Sequence, residues 1–186
     1  MPRYVALLRG INVGGRNKVA MADLRRIVAS LGHTEVATYI QSGNVVFTSP
    51  DTSVTDLAEA LEQEITRTLE VQPAVVVLSR DDLARVIADN PYPGEANPRY
   101  LHAVFRRQEL SPDAIAAIAT ARQAAQAEGS QDEATVVGQT LFLHTPGGLG
   151  RSELAAQLAR SNAQTTGTAR NWATVTRLMT MLDKAE

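Results

Sequence analysis

The chain has 186 residues, 44% of them apolar, and a formal net charge of −2, which fits one large or two small globular domains and excludes a disordered chain and a globally basic nucleic-acid binder. Without cysteine it forms neither a disulfide framework nor a thiolate metal site. No charged-then-apolar leader opens it and no apolar run approaches the ~20 residues that span a bilayer, so the expectation is a soluble cytoplasmic protein.

Charge is unevenly spread. Residues 1–50 carry a balance of +4, residues 51–98 a balance of −7 and residues 99–186 a balance of +1. The positive charge therefore accompanies the first glycine-rich segment, and the acids follow it.

The apolar run from Tyr4 to Leu8 predicts a central strand over Arg3–Arg9. A loop from Gly10 to Val19 follows, with Gly10, Gly14 and Gly15 supplying backbone freedom. Met21, Leu24, Ile27, Val28 and Leu31 then recur at helical spacing, and Gly32 ends that helix. His33, just beyond the cap, is expected to face solvent. Strands over Glu35–Gln41 and Val45–Thr48 flank the turn Ser42-Gly43-Asn44 and predict an antiparallel hairpin. Ser53 and Asp56 resemble a capping box, opening a helix with Leu57, Leu61, Ile65 and Leu69 on one face. A strand over Ala74–Leu78 completes β-α-β-β-α-β, the ferredoxin-like arrangement.

The second half is read as a less regular α/β plait. Ser79-Arg-Asp-Asp82 caps a third helix, and the proline-rich segment Asn90–Pro98 marks a subdomain boundary near residues 79–98. The expected domains are thus 1–79 and 80–186, an α+β protein of two ferredoxin-like subdomains. A strand over Tyr100–Phe105, a helix begun by Ser111-Pro112, a hairpin around Gly138-Gln139, a helix after Gly150 and a last helix over Asn171–Leu182 fill it.

Four blocks are familiar: Leu7-Leu-Arg-Gly-Ile-Asn-Val-Gly-Gly15, Thr38-Tyr-Ile-Gln-Ser-Gly-Asn-Val-Val-Phe47, Gly150-Arg-Ser-x-Leu154 and Thr168-x-Arg-Asn-Trp-x-Thr174. Together they resemble the bacterial family called domain of unknown function 1697. The resemblance implies two α/β-plait subdomains and brings no activity with it.

Glycine loops between strand and helix point N–H groups at anions. The first loop and the neighbouring turn offer Arg9, Asn12, Gly14, Gly15, Arg16, Gln41, Ser42 and Asn44; the second loop and the last helix start offer Arg151, Ser152, Arg170 and Asn171. Neither loop matches a phosphate-loop or dinucleotide fingerprint: Thr145 stands where the former needs glycine, and Arg151 replaces its lysine. Arg151 and Arg170 read as lying in or beside the first turn of predicted helices, where the helix dipole disfavours a cation and calls for a compensating anion, either a bound phosphate or carboxylate or a structural acid such as Glu153 or one from another element. Asn44 and Ser42 are ordinary turn residues, and Gln41 has less structural excuse. Trp172 begins an apolar stripe and reads as a core anchor.

No nucleophile elbow, paired carboxylates or metal-spaced histidines appear, so no catalytic residue, metal or cofactor is assigned. Aromatics at 4% argue against RNA binding on an open sheet face. The reading is a binding protein, or an enzyme of unidentified type, for an anionic or phosphate-bearing, nucleotide-like ligand in a cleft between the subdomains, monomeric or a weak homodimer. The alternative is a protein-interaction or self-association module.

Overall fold

The computed structural model describes residues 1–161 and 167–184. Its elements run β1 (Arg3–Arg9), α1 (Met21–Ser30), β2 (Thr34–Tyr39), β3 (Asn44–Thr48), α2 (Val54–Leu69), β4 (Ala74–Ser79), α3 (Arg80–Ala88), β5 (Leu101–Phe105), α4 (Pro112–Ala127), β6 (Glu133–Val137), β7 (Thr140–His144), a 3-10 turn (Leu149–Arg151), α5 (Glu153–Arg160), β8 (Thr168–Asn171) and α6 (Trp172–Asp183). Among the described residues no helix is long and apolar enough to cross a membrane.

Two antiparallel four-stranded sheets result, ordered β2-β3-β1-β4 and β6-β7-β5-β8. Numbering each sheet's strands from one gives the same order, so both units are α+β plaits of the ferredoxin-like type. The second plait is as regular in topology as the first. Its closing strand, β8, is a short polar stretch whose Thr168 and Arg170 are buried while Ala169 is exposed. Apolar alternation is absent there, which is why the sequence pattern reads it only as the approach to a helix.

The chain divides into Met1–Arg85 with the described residues from Arg177 on, and Val86–Thr176. A single cut near residues 79–98 places the end of α6 with the second unit; the structure groups it with the first. The Arg3 guanidinium donates to the Leu182 carbonyl at 3.1 Å, and Arg80 Nε donates to Asp183 at 2.9 Å.

In the first unit, one face of the sheet presents Tyr4, Ala6, Leu8, Val45, Phe47, Val75 and Val77 to α1 and α2. Those helices answer with Leu24, Ile27 and Val28, and with Leu57, Ala58, Leu61 and Ile65. Each fully buried side chain of this size is worth about 1.5–3 kcal/mol. The edge strand β4 is protected as well, because Glu62 of α2 accepts the Val75 N–H at 2.7 Å. The second unit packs Val104, Leu141 and Leu143 against Ile118, Ala121 and Ala125 of α4 and Leu154 and Leu158 of α5.

The β2–β3 turn is the tightest point of the first unit. Gly43 has φ +89, and a Cβ there would lie 2.7 Å from Ile11 Cδ1 and 2.9 Å from Leu8 Cβ. Only glycine meets both the backbone and the space requirement. Gly43→Ala is therefore expected to lower the unfolding free energy by about 2–4 kcal/mol, read as a reduced midpoint in urea; an unchanged midpoint contradicts the packing.

Candidate functional site

The first glycine loop leaves β1 at Arg9 and closes on itself before α1. Val13 and Arg16 form a bridge, with the Arg16 N–H on the Val13 carbonyl at 3.0 Å. Gly14 and Gly15 sit between them at φ +56 and +74, the pattern of a tight type I′ hairpin turn. Below this tip, the Asn12 N–H donates to the Asn17 carbonyl at 3.0 Å, and Asn17 Nδ2 donates to the Gly10 carbonyl at 2.8 Å. Both asparagines take left-handed backbone, which asparagine tolerates better than most residues.

Asn12 also spends its whole amide on the fold. Its Oδ1 accepts the Val19 N–H at 2.9 Å, and its Nδ2 donates to the Val19 carbonyl at 3.0 Å and the Gln41 carbonyl at 2.8 Å. The loop is thereby tied to the β2–β3 turn. Asn44 Nδ2 donates to the Tyr39 carbonyl at 2.9 Å and to Ser42 Oγ at 3.0 Å, bracing that turn from inside. Asn12, Ser42 and Asn44 are thus built into the framework that carries the loop.

The exposed parts of the tip have no such duties. Among the described residues the side chains of Arg9, Arg16, Lys18 and Gln41 make no hydrogen bond or ion pair, and the Gly14 and Gly15 N–H groups donate to nothing. Arg26, Arg67, Arg80, Arg85, Arg122 and Arg160, in contrast, each pair with a carboxylate. Val13, bridged to Arg16, and Ile40, next to Gln41 in the β2–β3 turn, are 66% and 49% exposed, two of the few large apolar side chains so exposed. Ile40 is β-branched yet holds φ +50, a strained conformation.

The remaining sequence-derived residues belong to the second unit. Ser152 caps α5 by accepting the Ala155 N–H at 2.9 Å, and its own hydroxyl donates to Asp132 at 2.8 Å. Asp132 is buried and also takes the Leu154 N–H at 3.5 Å. A carboxylate of the protein itself therefore occupies the N-terminus of α5, where helix dipole and free N–H groups favour an anion. The sequence reading asked for an acid to compensate Arg151 and named Glu153; Asp132 instead serves Ser152 and the Leu154 N–H. Arg151 lies in the 3-10 turn before the cap and is exposed.

Arg170 is a strand residue of β8, two positions short of α6, so the helix-start reading is corrected. Its guanidinium donates to Thr168 Oγ1 and to the Ala169 carbonyl, both at 2.9 Å, and burial brings its pKa down to about 10. Asn171 Oδ1 accepts the Thr174 N–H at 2.9 Å and so caps α6. Trp172 is half-buried, 6.2 Å from the Phe142 ring. His144 is satisfied by Glu95 at 2.6 Å and stacks on Tyr92. His102 is not satisfied to the same degree, since its Nδ1 is buried without a partner among the described residues.

Comparison with known proteins follows these features. A model of the family described as "Protein of unknown function (DUF1697)" matches residues 1–142. The chain belongs to the DUF1697 family. The match takes in the whole glycine loop and hairpin turn, while the blocks at residues 150–154 and 168–174 lie beyond it. Among solved structures, this DUF1697 protein is similar to the conserved bacterial protein SP0830 from Streptococcus pneumoniae. The two are 27% identical with a TM-score of 0.75, over 98% of this chain and 99% of that one. Comparison with curated proteins gives no match.

The role assigned to Asp132 is directly testable. Asp132→Ala leaves the Ser152 hydroxyl and the first N–H groups of α5 without their acceptor, and is expected to cost about 1–3 kcal/mol in urea unfolding. Retention of full stability contradicts an internal anion at α5.

Proposed function

We propose that the glycine loop of the N-terminal unit binds a phosphate-bearing, nucleotide-like ligand. The observation that carries this reading is the trio Arg9, Arg16 and Lys18, without carboxylate partners among the described residues in a chain that pairs at least six of its other arginines with one. Two adjacent glycine N–H groups at the tip add donors in the concave pattern that backbone turns offer to anions. Gln41 supplies a further amide. Val13 in the same loop and Ile40 next to Gln41 are exposed apolar side chains, which suits a ligand with a ring as well as a phosphate. The ligand reading rests on the N-terminal unit by itself and uses none of Arg151, Ser152, Arg170 or Asn171.

The same apolar pair supports a second reading, a protein partner presenting acidic and apolar side chains together. The two separate in one experiment. Melting is followed with sodium triphosphate and with ATP at fixed ionic strength, for the unmodified chain and for Arg16→Ala and Lys18→Ala. The ligand reading expects a rise of about 5 °C at saturation, since binding to the native state alone raises stability by mass action. ATP acts at lower concentration than triphosphate, and each substitution removes most of the rise. Both substitutions are expected to leave the unliganded melt within about 0.5 kcal/mol of the parent. A melt that ignores both phosphates, or a rise that survives both substitutions, overturns the ligand reading. Stability that depends on protein concentration favours a second copy of this chain as that protein partner.

A further inference from the structure

The side of the first sheet that turns away from α1 and α2 carries a cleft of its own. Val45 and Phe47 point to the helices, so Val46 between them points the other way, and so does its register partner Ala37. Beside them runs the end of α6. The Lys184 N–H still donates to the Thr180 carbonyl at 3.3 Å, so Lys184 follows Met181 on one helix face. These four residues, with Arg3 of β1 and Glu35 of β2, line a cleft of about 310 Å3. Val46 is buried and Ala37 and Met181 half-buried, which makes part of the lining apolar.

The charged groups of the cleft are only partly engaged. Arg3 donates through Nη1 to the Leu182 carbonyl at 3.1 Å and to the Lys184 carbonyl, and its Nε is enclosed, which leaves Nη2 for a ligand. Glu35 accepts the Thr48 hydroxyl on Oε2, which leaves Oε1. The Lys184 ammonium makes no hydrogen bond or ion pair among the described residues. Both cations share the cleft with Glu35, yet neither pairs with it. Opposite charges that line one cleft without meeting suit a guest that carries both signs. The backbone singles out the same acid. The strand register shifts between Thr34 and Ala37, and Glu35 holds φ +50, a left-handed conformation uncommon for glutamate. Bulges re-aim side chains, and left-handed backbone at residues other than glycine collects at ligand sites.

We propose that this cleft binds a free α-amino acid with an apolar side chain. The ligand carboxylate is met by Arg3 Nη2 and the Lys184 ammonium, its ammonium by Glu35, and its side chain by Val46, Ala37 and Met181. A simple carboxylate would leave Glu35 facing a like charge, and a simple amine would face two cations; the zwitterion answers both. The volume lies at the lower end of the range for small-molecule sites, about 300–1,000 Å3, which fits so small a ligand. Arg3 opens β1 and Arg9 closes it, so this site lies at the other end of the strand from the glycine loop and stands or falls without it.

The test labels the methionine methyl groups of the full chain with 13C and follows Met181 at pH 7.0 while L-leucine is added. Met21, packed against the core on the helix side of the sheet, is the internal reference. Leucinamide keeps the ammonium without the carboxylate, and 4-methylpentanoate keeps the carboxylate without the ammonium. The proposal expects a saturable shift of the Met181 methyl with leucine and binding at least about tenfold weaker for each analogue, equivalent to one lost charge contact. Glu35→Gln and Lys184→Gln are each expected to weaken leucine binding about tenfold. Both positions are exposed, and glutamine keeps an acceptor for the Thr48 hydroxyl, so the variants keep the fold, as an unchanged urea midpoint verifies. A Met181 methyl that ignores leucine, an analogue that binds as tightly as leucine, or an affinity that survives either substitution overturns the proposal.

Discussion

One amide side chain organises the end of the first sheet. Asn12 accepts from and donates to Val19, closing the base of the glycine loop, and donates to Gln41, fastening that loop to the β2–β3 turn. Without these bonds the segment from Gly10 to Val19 is a ten-residue loop, anchored by the buried Ile11 and Val19, with two internal glycines in an exposed tip. With them it is a short hairpin whose tip is fixed. The entropy of holding Gly14 and Gly15 in left-handed backbone, a cost that rises with glycine's freedom, is met inside the loop and not by a ligand. That is what makes a preorganised set of donors at the tip physically reasonable. Gly43 serves the same end from the other side, letting the turn approach Leu8 and Ile11 closely enough for Asn12 to reach it.

The two plaits share a strand order and differ in what they do with their glycine loops. In the second, Asp132 crosses from before β6 to the start of α5 and takes the position an external anion would take. In the first, the cations at the loop have no internal counterpart among the described residues. The clearest physical distinction between the units is that Asp132 sits at the start of α5 in the second, whereas in the first Arg9, Arg16 and Lys18 pair with no carboxylate among the described residues. It is why the functional reading rests on residues 9–18 and 41.

Much of the architecture was legible because its signals are local. The apolar run of β1, the helical stripe of α1, the Ser53 and Ser111 caps and the turn at Gly138 each specify their element without reference to the rest of the chain. The misses share one cause, dependence on distant partners. β8 lacks apolar alternation and is a strand only because β5 offers an edge to pair with. His33 follows a helix cap and reads as exposed, but Phe47 of β3 supplies a ring to cover it. The end of α6 bonds to Arg3, 179 residues away, and to Arg80, 103 residues away. The candidate site was legible in part for the same reason: Arg9, Arg16 and Gln41 could be named, but that Asn12 and Asn44 serve the framework required their acceptors to be seen.

The central claim, that the glycine tip is a preformed anion site, is tested most directly at the backbone amides themselves. An 15N-labelled sample is titrated with ATP and the amide resonances of Gly14 and Gly15 are followed. The account predicts large, saturable downfield shifts at these two amides, with changes at Val13 and Arg16 and little elsewhere in the first sheet. Unmoved glycine amides, with any response to ATP confined to other parts of the chain, would contradict it.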